Sequence, residues 1–141
     1  MSTEQNKAVV RQMVEEILNQ GNISLVDDLF APAYAEHEEL PPGMPRDREG
    51  FAMLIPVMHS AFPDFKATIE DMIAEGDRVV LRMTWSGTQK GEWMGMPPSD
   101  KSMSIGVIDI LRIVGGKFVE HWGLMDSMAM MQQLGAMPAA E

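Results

Sequence analysis

Cysteine is absent from all 141 residues, which removes disulfides, thiolate metal sites and thiol nucleophiles at once. Basic residues are scarce too. Eleven Lys and Arg stand against 21 Asp and Glu, a formal charge of −10, and no Lys/Arg stripe runs through the chain to track phosphates. Neither a nucleic-acid partner nor an anionic membrane surface fits that balance. No run approaches the ~20 consecutive apolar residues of a membrane-spanning helix. The opening Ser2-Thr3-Glu4-Gln5-Asn6-Lys7 lacks the basic and apolar regions of a secretory signal, so a soluble cytoplasmic protein is expected. Aromatic residues are few (5 Phe, 3 Trp, 1 Tyr), whereas Met is plentiful at 15. Flexible, polarisable side chains therefore fill much of the interior, either as a tolerant core or as an adaptable apolar cavity.

What is present reads as one domain over 1–136 with a flexible tail at 137–141. Ser2 and Gln5 have capping-box spacing, and Val10, Met13, Val14, Ile17 and Leu18 recur on one face, predicting a helix from Thr3 to Gln20. A short second helix carries Leu25, Leu29 and Phe30 and ends at Pro32. The segment 33–38 predicts a short strand, and Leu40-Pro41-Pro42-Gly43-Met44-Pro45 predicts a loop. A third helix fits Asp47 to Ala61, with Pro56 expected to kink or shorten it. Beyond Pro63 the pattern turns to strands at 65–74, 79–89, 102–114 and 118–125. An exposed-looking Trp93 lies in the loop between the middle two. Asp126 caps a last short helix. Helices first and antiparallel strands second predict an α+β fold, with the helices on one face of a curved sheet.

The last hairpin carries the most chemistry. A two-residue Gly-Gly turn would pair Val114 with Lys117, whereas a three-residue loop Val114-Gly115-Gly116, preferred because it groups the charges on both faces, would pair Ile113 with Lys117 and place Asp109 opposite His121. On that register Val107, Leu111, Val119 and Gly123 share their face, and Ile108, Ile110, Arg112, Phe118, Glu120 and Trp122 lie on the other. A carboxylate and an imidazole buried side by side are either a mutually satisfied structural pair or a proton-transfer pair. Asp109 and His121 are accordingly the candidate catalytic residues. The largest pocket is expected beside them, walled by Met13, Ile17, Leu54 and Met58. Tyr34 and His37, just before a loop, could reach it, although His37 among carboxylates also suits a solvated surface. Trp93 and Met96 either lid the cavity or anchor their loop. His59 fits a helix C-terminus. No metal-ligand spacing and no phosphate loop occurs, so neither a metal nor a cofactor is expected. The apolar outer sheet face predicts a homodimer.

Several segments in order carry a family resemblance: Ala61-Phe62-Pro63-Asp64-Phe65, Gly87-Thr88-Gln89-Lys90-Gly91-Glu92-Trp93-Met94-Gly95-Met96-Pro97-Pro98, Asp109-Ile110-Leu111-Arg112-Ile113, Gly116-Lys117-Phe118-Val119-Glu120-His121-Trp122 and Gln132-Gln133-Leu134-Gly135. Together they resemble the SnoaL-like polyketide cyclases, or ester cyclases. The resemblance implies the nuclear transport factor 2-like fold, a cone of sheet and helices around an apolar pocket, commonly dimeric. It also implies a cofactor-free intramolecular aldol closure of a polyketide ester. In that family the acid/base is an Asp two residues beyond a His. The His is His121 here, and the Asp position is Gly123. A second pocket imidazole of the family falls on Asp109, and Gln89 stands where relatives often carry His; Gln89 and Gly123 thus join the candidate substrate contacts. The leading expectation is acid/base chemistry on a small apolar carbonyl compound, by cyclisation, isomerisation or a related proton transfer. The alternatives are a non-catalytic binder of small hydrophobic molecules and a pocket reshaped, by drift or by engineering, for another proton transfer.

Overall fold

The structure, a computed structural model, describes residues 2–138; of the expected tail, residues 139–141 lie outside the described residues. Helix α1 (Thr3–Gln12) opens on the capping box: Ser2 Oγ accepts the Gln5 amide at 3.1 Å and Gln5 Oε1 accepts the Ser2 amide at 2.9 Å. It widens into a π-type stretch, Met13–Asn19, which keeps Val10, Met13, Val14, Ile17 and Leu18 buried in one stripe. A turn at Ile23–Leu25 and the short α2 (Val26–Leu29) run directly into strand β1 (Phe30–Glu36). The strand thus begins three residues earlier than expected, and Pro32 lies inside it and not at a helix end. Proline is tolerated there because β1 is an edge strand whose pairing is irregular between Phe30 and Ala35.

Helix α3 (Arg48–Ala61) is capped by Asp47, whose Oδ1 accepts the Gly50 amide at 3.0 Å. Pro56 sits on its exposed side and does not shorten it. Strands β2 (Lys66–Glu75), β3 (Arg78–Thr88), β4 (Ser102–Val114) and β5 (Lys117–Met125) follow, then α4 (Ser127–Gln133). Asp126 Oδ1 caps α4 by accepting the Ala129 amide. The sheet order is β1-β5-β4-β3-β2, with β1 parallel to β5 and every other pair antiparallel. The buried stripes of α1 and α3 pack on the inner face, where Val79, Leu81, Met83, Ile105, Val107, Leu111 and Ile113 complete the core. Trp93 is not exposed as expected. It is buried edge-on against Phe62 and shares a two-way bridge with Met96, so it anchors its loop. Among the described residues no helix is long and apolar enough to cross a membrane.

The hairpin register differs from the expected one. Gly115 and Gly116, at φ +59° and +78°, make a two-residue turn that pairs Val114 with Lys117, and consecutive positive φ values are what a primed turn requires. Ile113 then faces Phe118 while Arg112 faces Glu120, so Val119 is an extra residue, a bulge, and not a member of the inner face. Asp109 consequently faces Gly123, and His121 faces Leu111. Phe118, ahead of the bulge, points inward and is fully buried against Phe30, not outward as expected. Beyond the bulge the parity returns to the expected one. Asp109 and His121 share the inner face as diagonal neighbours.

Candidate active site

Strand alternation at the end of β1 turns Tyr34, Glu36 and Glu38 inward and His37 outward. The His37 amide donates to the His121 carbonyl at 2.9 Å and extends the β1–β5 pairing past the end of β1. Tyr34 and Glu36 of β1, and Glu38 just past its end, are thereby brought against His121 of β5 and Asp109 of β4.

His121 is held at both ring nitrogens. Nδ1 lies 2.5 Å from Glu36 Oε2, and Nε2 lies 2.8 Å from Asp109 Oδ1. Burial alone would strip its proton, but hydrogen bonds and charge from Asp109 and Glu36 outweigh it and push the imidazole up to about 10. At neutral pH it is an imidazolium that donates from both nitrogens. The Tyr34 hydroxyl donates to Glu36 Oε1 at 3.0 Å, and burial beside that carboxylate holds the phenol above its ordinary range, so it stays a neutral donor. Glu38 is half-buried. Burial first, then the charges of Asp109 and Glu36, push its carboxyl up to about 7 against the pull of His121.

Gly123 makes this convergence possible. A Cβ there would lie 2.8 Å from His121 Nε2, 2.7 Å from Glu38 Oε2, and nearer still to Asp109 Oδ1. The space a side chain would fill at 123 is already occupied by the polar ends of the other three.

Met13, Tyr34, Leu54 and Met58 line the cavity above Asp109 and His121, as expected, together with Phe30, Phe51, Trp85 and Leu111. Its volume is only about 50 Å³, against the ~300–1,000 Å³ of sites for drug-sized ligands. It is therefore not the largest pocket, because Met13, Phe51 and Met58 close in upon it. A groove of about 800 Å³ lies outside, walled by the segment His37–Leu40, Pro42, Met94 and Gly123–Met125. Glu38 and Leu40 line both spaces and form the partition between them.

The remaining expected contacts lie elsewhere. Ile17 is fully buried in the core and does not line the cavity. His37 is on the outer face, its ring stacked on Trp122 at 4.9 Å and bonded to Glu120 at 2.9 Å. Gln89 is completely buried and holds the β3–β4 loop: its amide donates to the Gly91 and Met96 carbonyls, and its Oε1 accepts the Ser99 hydroxyl. Trp93 and Met96 wall a separate methionine-lined cavity of about 210 Å³ against α4. His59 Nε2 donates to the Leu18 carbonyl near the end of the first helix, a structural role.

Sequence reasoning missed Glu36 and Glu38. The available signal was the alternation Tyr34-x-Glu36-x-Glu38, which puts all three on one face once the strand is extended by two residues. Ligating atoms of Glu36, Glu38 and His121 lie within 4.8 Å of one another. Of these three, His121 Nδ1 and Glu36 Oε2 are hydrogen-bonded to each other, and Glu38 stands beside them.

The SnoaL-like polyketide cyclase family model matches residues 8–134. The nogalonic acid methyl ester cyclase of Streptomyces nogalater is 29% identical over 119 residues, covering 83% of this chain and 88% of that protein. The aklanonic acid methyl ester cyclase AcmA of Streptomyces galilaeus is 32% identical over 130 residues, covering 91% and 89% respectively. Among solved structures, TsrD from Streptomyces laurentii superposes with a TM-score of 0.88 at 32% identity, over 97% of this chain and 99% of that one. The α+β architecture with its curved five-stranded sheet is thus that of its relatives, and the chain belongs to the SnoaL-like polyketide cyclase family.

Proposed function

We propose that the protein is a cofactor-independent cyclase that closes a carbocyclic ring on a polyketide-type ester by an intramolecular aldol reaction. The observation that carries this reading is His121 clamped between Glu36 and Asp109 beneath an apolar wall. Asp109 is the base. The imidazolium holds its Oδ1, and Oδ2 takes a proton from the carbon next to a substrate carbonyl. The enolate carbon attacks a second carbonyl carbon of the same molecule, a carbon–carbon bond forms, and the resulting alkoxide takes up a proton. Substrate and product have the same composition, so no oxidant or reductant is consumed. Trp85 lies on the cavity wall, and its buried indole N–H has no partner among the described residues.

Turnover of nogalonic or aklanonic acid methyl ester tests the reading. Asp109→Asn keeps the size and should lower kcat by ~10²–10⁴-fold, as loss of a general base does. Asp126→Asn, still an adequate helix cap, should leave kcat unchanged. Full activity in Asp109→Asn would put the base elsewhere.

The homodimer belongs to the same reading. Ile108 is 53% exposed and Leu124 81% exposed on the outer sheet face, beside Ile110 and Trp122 in a shallow apolar depression. Such a patch favours pairing with a second copy. Light scattering at micromolar protein should return twice the chain mass, and Ile108→Lys should halve it.

A further inference from the structure

The network contains a carboxyl that the base reaction does not use. Glu38 stands on the partition between the small buried cavity and the large groove, so it faces both Asp109 and whatever fills the groove. Its backbone amide donates to Glu36 Oε2 at 3.3 Å, but among the described residues no donor is aimed at its own carboxyl oxygens. The charges that act on it are those of Asp109 from β4, His121 from β5 and Glu36 from β1, and its neighbours His37 and Glu39 also line the groove. The α3 residues on the cavity, Phe51, Leu54 and Met58, are apolar, and no Lys or Arg lines either space. A carboxyl facing two carboxylates with no donor of its own is best accommodated as the neutral acid.

We propose that Glu38 is the general acid of the ring closure, donating its proton to the oxygen of the carbonyl under attack. This rests on the aldol reading above and adds its second half. Asp109 gains one proton from carbon, and Glu38 loses one to the alkoxide as the new bond forms. Asp109 Oδ1 and Glu38 Oε2 both border the point that a Cβ at Gly123 would occupy. Rotation of the Asp109 carboxyl brings the proton taken up at Oδ2 to that gap and hands it to Glu38, and the site is reset with no net proton gained or lost. Two carboxyls with opposite duties, separated by their surroundings, are a recurring solution to running acid and base chemistry at one pH. The small inner cavity also acquires a purpose: only the reacting end of the substrate enters it, while the body lies in the groove.

The test compares kcat and kcat/KM against pH, on a methyl ester the wild type turns over, for wild type, Glu38→Gln, Glu38→Asp and Asp109→Asn. The acid must be protonated, so wild-type kcat/KM, which reports groups of the free enzyme, should fall above about pH 7. Glu38→Gln should lower kcat by ~10²-fold with little change in KM, and its residual rate should lose the fall above neutrality. Glu38→Asp, an acid one methylene shorter, should retain that fall at an intermediate rate. A carbon-detected NMR titration of the Glu38 carboxyl in the ligand-free protein should report the same midpoint, and Asp109→Asn should move it down. If Glu38→Gln keeps the wild-type rate and pH profile while Asp109→Asn is inactive, the acid assignment fails and the cyclase reading stands. If the wild type turns over no ester, both fall together. A Glu38→Gln chain that does not fold would also count against the proposal, because the neutral amide replaces an acid assigned as neutral.

Discussion

Strand β5 carries a histidine–carboxylate contact on each of its faces. On the inner face His121 lies between Glu36 and Asp109 with its side chain 11% exposed. On the outer face the Glu120 carboxylate, 26% exposed, receives His37 and Arg112, with the His37 side chain 40% exposed. Bond lengths do not separate the two, since His37 to Glu120 is 2.9 Å and His121 to Asp109 is 2.8 Å. Water does. Inside, the ion pairs have lost their hydration and depend on one another, so removing one member strands the rest. Outside, solvent replaces whatever is removed. The same functional groups are therefore expected to behave as a coupled reactive unit on one face and as ordinary surface charge on the other.

The sharpest way to break the inner unit is His121→Leu, which matches the apolar wall but leaves Glu36 and Asp109 as buried carboxylates without their cation. It should cost ~3–5 kcal/mol in denaturant unfolding at pH 7. A loss below about 1 kcal/mol, the range of exposed pairs, would mean that water reaches the inner face as freely as the outer.

Glycines on the two faces extend the comparison. A Cβ on Gly106, facing outward, meets nothing within 4 Å, whereas one on Gly123 meets three polar atoms of the network. Gly123→Ala should lose ~1–3 kcal/mol through crowding, and Gly106→Ala should stay within about 0.5 kcal/mol. Gly123→Asp, which the family resemblance suggests would restore an acid/base at that position, needs the same Cβ. It should therefore not raise ring-closing turnover, because Asp109 and Glu38 already fill the space. Equal unfolding midpoints for the two alanine variants would show that the network yields easily and that Gly123 is not what shapes it.

These contrasts also mark how far the sequence could be read. Strand alternation placed Asp109 and His121 on one face even though the turn was read as three residues, because a two-residue turn followed by a bulge advances the chain by the same parity. Phe118, between turn and bulge, and Val119, the bulge itself, are the positions whose faces differ from that register. Helix periodicity located Met13, Leu54 and Met58, since covering the sheet and lining the cavity require the same stripe. Glu36 and Glu38 escaped because a run of acids beside a proline-rich loop reads as solvated surface; only the parallel pairing of β1 with β5, a contact across 85 residues, buries them. Gln89 was legible as polar and uncommon in its place, but its loop partners are set by the fold of 90–100 and not by spacing.

Protonation gives a smaller effect that still separates the faces. Glu38 and His121 both have folded-state values raised above their ordinary ones, to about 7 and about 10. The folded protein therefore holds these protons more tightly than the unfolded chain. Stability from Glu38 is complete below pH 4.5 and is lost as pH rises through about 7; that from His121 is complete below 6.5 and is lost through about 10. Thermal midpoints should fall across both windows. Glu38→Gln should flatten the first and leave the second, and a wild-type midpoint that rises from pH 5 to pH 7 would contradict the sign of the Glu38 shift.

The smallest effect belongs to the outer contact. His37→Gln removes the imidazole that stacks on Trp122 and bonds Glu120, but Glu120 Oε1 keeps the Arg112 guanidinium at 2.7 Å, and burial puts no uncompensated charge out of reach of water. Glutamine can still donate to Glu120. The expected change in unfolding free energy at pH 7 is under about 1 kcal/mol, and 0.5 M salt should shrink it further because exposed pairs are screened. Paired with His121→Leu under identical conditions, the experiment reads the difference between one imidazole and another on a single strand. If His37→Gln cost as much as His121→Leu, the outer face would have to be as dry as the inner one, as it would become if the dimer interface covered His37. Repeating the pair in Ile108→Lys, which should keep the proposed dimer from forming, distinguishes that case: a cost at His37 that vanishes in that variant comes from an interface, and one that persists comes from the sheet itself.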